Sequence, residues 1–486
     1  MELYLKMGYE LSELLAKKEV SAREVTESFL ARTDAVEGSL SAYLCRDAEG
    51  ALAVADKVDA QRAEGAALSP LAGLPLAVKD NICTLSLPTT AASKMLAGYV
   101  SPYEATAVAR LRGLDMPIVG KTNLDEFGLG STGESSVAQV TKNPYDLTRT
   151  PGGSSSGSAA AVAAATVPFA LGSDTGGGLR LPAAFTGTVA LKPTYGTVSR
   201  YGLIAVGSSF DQIGPMTRSV RDNALLFDAL VAGGADHMDG TSIPGERTPI
   251  APALTGEVKG LRIGLPKQYF GAEIDPAVAA CVKAAALGLE KLGAELVEVD
   301  LPHFELALPT YRILADAEAS SNLARFDGIR FGYRAADYED SIDLYFKSRG
   351  EALGPEVRRR SLVGAAVLSN ARYDDYYKRA RLMRIRFTEA YTAALAQCDL
   401  LLTPAAATTA FKLGEKTDPL ALYQTDLCTV GASLAGLPAL VLPCGSVEGL
   451  PVGLQLIGRR FEEAVLYNAG YAFEQSAAAG WTCPVL

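Results

Sequence analysis

PGGSSSGSAAAVAAATVPFALGSDTGGGLRLPAAF, residues 151–185, is the stretch from which this chain is best read. It opens on a loop of glycines and hydroxyls that offers Ser154, Ser155 and Ser156. Small apolar residues follow, and then a second glycine loop offers Thr175, Gly176, Gly177 and Gly178. A strand-loop-helix arrangement of this kind lets backbone N–H groups converge on a developing negative charge. Upstream, Lys79 ends the apolar run in GLPLAVKDNI. Glycine loops, serines and one lysine are the parts of a Ser-Lys acyl-transfer site. One part is missing, because the second loop carries no serine where a nucleophile is expected.

Around this stretch the chain alternates between short apolar strands and helical patterns, as an α/β architecture requires. Strands are expected at 74–78, 116–123, 167–173, 261–266, 399–404, 438–443 and 451–458, with ELVEV after residue 294. Ser21 and Glu24 have capping-box spacing ahead of Val25, Phe29 and Leu30, which share a helical face. A second amphipathic stretch covers about residues 47–64. Asp275-Pro276 opens another helix with proline at its first position, and Gly293 suits its C-terminal cap. A final helix is expected over 463–476. No repeat or low-complexity linker interrupts the chain. The reading is one domain over 1–486, with a charged, aromatic helical insertion at about 303–395.

Of the 486 residues, 48% are hydrophobic and 21% charged, an ordinary globular balance. The formal net charge of −10 makes the chain a poor general binder of nucleic acid, since phosphate contact needs a positive surface. The basic-aromatic run ARYDDYYKRARLMRIR (371–386) fits a helix with one solvated basic face better than an RNA contact. No apolar run is long enough to span a membrane, and the N-terminus lacks the order of a signal peptide, so a cytoplasmic setting is expected. The seven cysteines are scattered without a CxxC, which fits a reducing compartment. Only His237 and His303 are present, both in turn-like contexts. That shortage argues against Ser-His-Asp chemistry and histidine zinc sites, and no metal is expected.

Lysine is then the base. Lys79 sits at a strand end among apolar neighbours, and desolvation lowers the pKa of an ammonium. A neutral amine accepts a proton through a relay hydroxyl, and Ser154 both donates and accepts. The N–H groups of Thr175, Gly176 and Gly177 suit an oxyanion, an effect worth about 3–4 kcal/mol per donor. Neither GxxxxGK[ST] nor a helix-opening GxGxxG is present, which leaves a nucleotide cradle without its motif.

The chain resembles the amidase signature family, most closely the branch formed by the A subunits of bacterial tRNA-dependent amidotransferases. The resemblance runs through AVKDNI (77–82), GKTNLDEFGLGS (120–131), PGGSS (151–155), GSDTGG (172–177), KPTYGTVSRYGL (192–203) and DQIGPMTR (211–218). AEASSNLARFDGIRFGYR (317–334), FKLGEKTDPLA (411–421) and GLPVGLQLIG (449–458) tie it to that branch. It implies an amidase fold, a mixed central β-sheet wrapped by α-helices. It implies glutamine hydrolysis through an acyl-enzyme, with the lysine on Lys79 and the relay serine, in a cis peptide, on Ser154. The nucleophile position falls on Gly178, which has no hydroxyl, so strong impairment is expected. The resemblance also points to Asp426 for the ammonium of glutamine and Arg359 for its carboxylate, with Arg358 and Arg360 as alternatives. Ser156, Leu181, Gly431 and Thr310 depart from the family's usual residues near the site. The implied partners are the B and C subunits of such an amidotransferase. The B partner reads the aminoacyl-tRNA and uses ATP with Mg2+ to convert Glu-tRNA(Gln) or Asp-tRNA(Asn), with ammonia made by the A partner. The alternatives are a non-catalytic scaffold within the same complex and a stand-alone amidase.

Overall fold

The computed structural model describes residues 2–245, 247–476 and 483–484. Eleven strands are defined: β1 (Tyr43–Arg46), β2 (Leu76–Lys79), β3 (Ile118–Thr122), β4 (Phe169–Asp174), β5 (Val189–Lys192), β6 (Gln212–Thr217), β7 (Arg262–Pro266), β8 (Glu295–Val299), β9 (Leu400–Pro404), β10 (Ala439–Val447) and β11 (Leu450–Ile457). They form one sheet in the order β1-β3-β2-β4-β6-β5-β10-β11-β9-β7-β8. β3, β2 and β4 run parallel, as do β9, β7 and β8. The pairs from β4 to β9 through the middle are antiparallel. This is the mixed sheet of an α/β fold. β2, β3, β4, β5 and β6 are buried along their whole length, and the apolar runs at 74–78, 116–123 and 167–173 do not alternate for that reason. β1, β5 and β6 escape sequence reading because two of them are four residues long and the third contains Gly214 and Pro215.

Helices cover the sheet. Pro276–Lys291 starts as its sequence dictates, with the Asp275 carboxylate accepting from the N–H of Ala277 at 2.8 Å. Ser21 caps Ala22–Leu40 and closes the expected box with Glu24. Residues 304–395 contain no strand and carry the helices Ala307–Leu323, Ser341–Ala352, Pro355–Val367 and Arg379–Leu395. The helix Ser156–Ala163 is buried on every side. Its Gly157 lies so close to β3 that a Cβ there would stand 2.5 Å from the amide nitrogen of Asn123. That helix therefore seats the 151–155 loop against the carboxyl ends of β2 and β4. In open α/β sheets the strand carboxyl ends are where ligands are held.

Candidate active site

Lys79, the last residue of β2, is fully buried. Its Nζ lies 2.8 Å from Ser154 Oγ, 2.9 Å from Ser155 Oγ and 2.9 Å from Ser173 Oγ. The parallel register of β2 and β4 brings the lysine and Ser173 together, and the loop before the buried helix supplies the other two serines. The Gly153–Ser154 peptide is cis. Burial pushes Lys79 down to about 7, against the opposing pull of Asp125, Asp174 and Asp211. The lysine is therefore available as a neutral amine near neutral pH. The sequence gives the relay role to Ser154 alone. Ser155 and Ser173 complete the ring of hydroxyls and became visible only when the strands were placed side by side.

The second loop is held from outside the reacting centre. Arg180, fully buried, clasps Asp174 with Nε on Oδ2 (3.0 Å) and Nη2 on Oδ1 (2.9 Å). It also donates to Thr429 O, Gln455 Oε1 and Ser433 Oγ at 2.7–2.9 Å. Burial pushes the Asp174 carboxyl up, but Arg180 outweighs it and holds the group below its ordinary range. Gly176 and Gly177 are required by space. A Cβ on Gly176 would stand 2.3 Å from the Tyr311 ring, and one on Gly177 2.3 Å from Thr429 Oγ1. Gly177 also has φ +148°, a region that favours glycine. The N–H groups of Gly176, Gly177 and Gly178 donate to no acceptor among the described residues. Thr175 contributes its hydroxyl to Asp211 Oδ1 at 2.7 Å instead of facing Lys79. Gly178 lacks the positive φ of Gly177, but a Cβ there would stand 2.6 Å from Ser173 O and 2.7 Å from Ser154 Oγ.

Beside this loop lies a charged cluster. Asp426 is buried, accepts from Ser131 Oγ at 2.7 Å, and is pushed by burial up to about 6. Thr429 Oγ1 reaches both Gly176 O (2.5 Å) and Asp426 O (3.0 Å), which joins the cluster to the glycine loop. Of the three arginines in the run, Arg360 is the one that turns inward. It is 4% exposed, its Nε donates to Glu356 Oε1 at 2.7 Å, and its Nη1 lies 4.0 Å from Asp316. Arg359 points outward, half-exposed and paired with Glu356. Arg358 is exposed as well. A three-residue run on a helix cannot declare its inward member without knowing which face is buried.

The approach of the 307–323 helix to the glycine loop is made by Tyr311, with Thr310 buried beside it. The next residue, Arg312, stacks on Tyr423 with its guanidinium carbon 3.6 Å from the ring centre. Its Nη2 donates to Asp316 Oδ2 at 3.1 Å, while Nε and Nη1 have no partner. Tyr311, Arg312, Tyr423 and Ser131 were all absent from the sequence reading. Of the other departures, Ser156 is buried with its hydroxyl unpartnered, and Leu181 is buried. Gly431 faces the bonded hydroxyls of Tyr391 and Tyr269, which stand 2.2 and 3.0 Å from where its Cβ would be. Among the described residues no His, Cys, Asp or Glu cluster could hold a metal, and no helix is long and apolar enough to cross a membrane.

Taken together, the site has a neutral-prone amine, a hydroxyl bonded to it, a loop of free N–H groups, and a buried carboxylate, Asp426, that feels the charge of the buried Arg360 guanidinium. The family model named Amidase matches residues 24–466. The chain is 53% identical to the A subunit of glutamyl-tRNA(Gln) amidotransferase from Moorella thermoacetica, over 98% of this chain and 97% of that one. The crystal structure of the A subunit of glutamyl-tRNA(Gln) amidotransferase from Thermotoga maritima superposes with a TM-score of 0.82 at 36% identity, covering 99% and 98% of the two chains. Native peptide amidase from Stenotrophomonas maltophilia superposes with a TM-score of 0.84 at 32% identity, covering 99% and 98%.

Proposed function

Because this chain belongs to the amidase family, we propose that it is the glutamine-hydrolysing A subunit of a tRNA-dependent amidotransferase, impaired at its nucleophile position. The observation that carries the reading is the Lys79–Ser154 contact at 2.8 Å beside a loop whose amide N–H groups are free. In the family pattern Lys79 takes a proton through Ser154 and a serine at 178 attacks the carboxamide carbon. The N–H groups of Thr175, Gly176 and Gly177 are suited to the resulting oxyanion. Asp426 and Arg360 suit the ammonium and carboxylate of glutamine. The released ammonia goes to the B partner, where ATP, Mg2+ and the aminoacyl-tRNA belong, and the C partner completes the assembly. Replacing a nucleophile with a residue that has no hydroxyl typically costs several orders of magnitude in rate.

The test is ammonia release from glutamine by the assembled complex, comparing the chain with its Gly178→Ser variant. Recovery by the variant of at least about 100-fold supports the site. The missing hydroxyl at Gly178 also suits a second reading, a non-catalytic scaffold in the same complex. Under it, ammonia supplied from outside supports tRNA amidation by the complex while neither form hydrolyses glutamine.

A further inference from the structure

One hydroxyl in the ring around Lys79 is placed differently from the others. Ser155 Oγ donates to Ser173 O at 3.1 Å, and Ser173 Oγ accepts from Asn81 Nδ2 at 3.0 Å. Thr175 Oγ1 is held by Asp211 at 2.7 Å. Ser154 Oγ has one partner, the amine of Lys79. A neutral amine has two N–H groups and one lone pair, so it accepts from one hydroxyl at a time. Ser173 Oγ likewise only accepts, so its proton too is left to the Lys79 lone pair, but of these two hydroxyls Ser154 is the one among the atoms nearest to a Cβ at position 178. It also fills the space in question. A Cβ built on Gly178 would stand 2.6 Å from Ser173 O and 2.7 Å from Ser154 Oγ, closer than an unbonded carbon and oxygen approach, and Ser154 Oγ is the one hydroxyl of the two. The Ser154 hydroxyl thus occupies volume that a side chain at 178 would claim, beside the loop of free N–H groups.

We propose that Ser154 is the acylating nucleophile of this chain, taking the part of the hydroxyl that position 178 lacks. The inference rests on the amide-hydrolysing reading above. Lys79 Nζ removes the Ser154 proton as Oγ bonds to the carboxamide carbon and the carbonyl π pair moves onto oxygen. The C–N bond then breaks, and the nitrogen leaves as ammonia with the proton returned from Lys79. The ester on Ser154 is cleaved by water, which regenerates the hydroxyl and yields the carboxylic acid. With relay and nucleophile merged in one residue, the reaction is slower than the three-residue version but not absent.

An alkyl fluorophosphonate tests this on the full chain co-expressed with its partner subunits. Attack on phosphorus expels fluoride and leaves a stable phosphonyl ester whose position is read by peptide mass mapping. The label is expected on Ser154 in the chain as given and on residue 178 in Gly178→Ser. Ammonia release by the chain as given is expected to fall about 10-fold or more in Ser154→Ala. Unchanged circular dichroism and melting temperature separate that loss from misfolding, and Ser154→Cys moves the label's target to a thiol read by iodoacetamide mapping. Label on Ser155, Ser173 or Thr175 overturns the proposal. So does unchanged ammonia release in Ser154→Ala, or a chain as given that takes no label and releases no ammonia while Gly178→Ser does both. If Gly178→Ser also fails at both, the amide-hydrolysing reading itself falls.

Discussion

At the scale of single residues, Lys79 decides the pH behaviour. Burial holds its amine at about 7, and only the neutral form removes a proton. Below that value the neutral fraction falls about tenfold per pH unit, and above it the fraction levels off. Ammonia release by Gly178→Ser is therefore expected to climb with pH and flatten above about 7. A steady-state kcat/KM profile checks this, and a profile flat from acid pH would remove Lys79 from the base role. Lys79, Ser154 and the glycine loop were legible in the sequence because their chemistry is concentrated in a few residues. Tyr311 and Arg312 were not, because their relevance comes from neighbours more than a hundred residues away, Gly176 for Tyr311 and Tyr423 for Arg312.

At the scale of elements, the glycine loop depends on the Asp174–Arg180 clasp, a pair with neither side chain exposed. Asp174→Asn leaves a buried guanidinium without its counter-charge, and the cost expected is about 3–5 kcal/mol. Denaturant unfolding reads it as a lowered midpoint with an unchanged slope. The helices Ala307–Leu323 and Pro355–Val367 meet through Gly364, where a Cβ would stand 2.0 Å from Asp316 O. Gly364→Ala must part them, at a cost of about 1–3 kcal/mol or more. Because Arg312 and Arg360 ride on these two helices, glutamine binding measured by calorimetry is expected to weaken along with stability. Strand and helix positions were readable where periodicity or caps were strong, as at Asp275-Pro276. The contact between these helices was not, because Gly364 carries no signal until its neighbour is known.

At the scale of the whole molecule, the net charge of −10 sets how the chain meets polyanions. Its one basic run is largely occupied. Lys378 and Arg379 pair with Asp374 and Asp375, Arg386 pairs with Glu389, and Arg384 turns inward to Ser209 and Leu434 O. The chain alone is expected to give no tRNA shift at micromolar concentration and about 0.15 M salt. A gel-shift titration checks this, and a salt-sensitive complex would place an RNA surface on this chain. The charge balance was readable from composition, and the helix expected over 371–386 is present as the turn Tyr373–Lys378 running into Arg379–Leu395. Lys378, Arg379 and Arg386 pair within their own helical run, whereas the partners of Arg384 (Ser209 and Leu434) come from distant segments and leave no local signal.

The clasp between Arg180 and Asp174 makes no use of residue 178. The loop is held whether or not the nucleophile is present, so the loss at 178 does not set off decay in the parts around it. A glycine codon of the GGT or GGC kind is one base change from a serine codon. Lys79, Ser154 and the clasp are all present, while a new Cβ at 178 would have to displace Ser173 O and Ser154 Oγ, 2.6 and 2.7 Å away. Restoring a hydroxyl at 178 therefore asks nothing of the clasp.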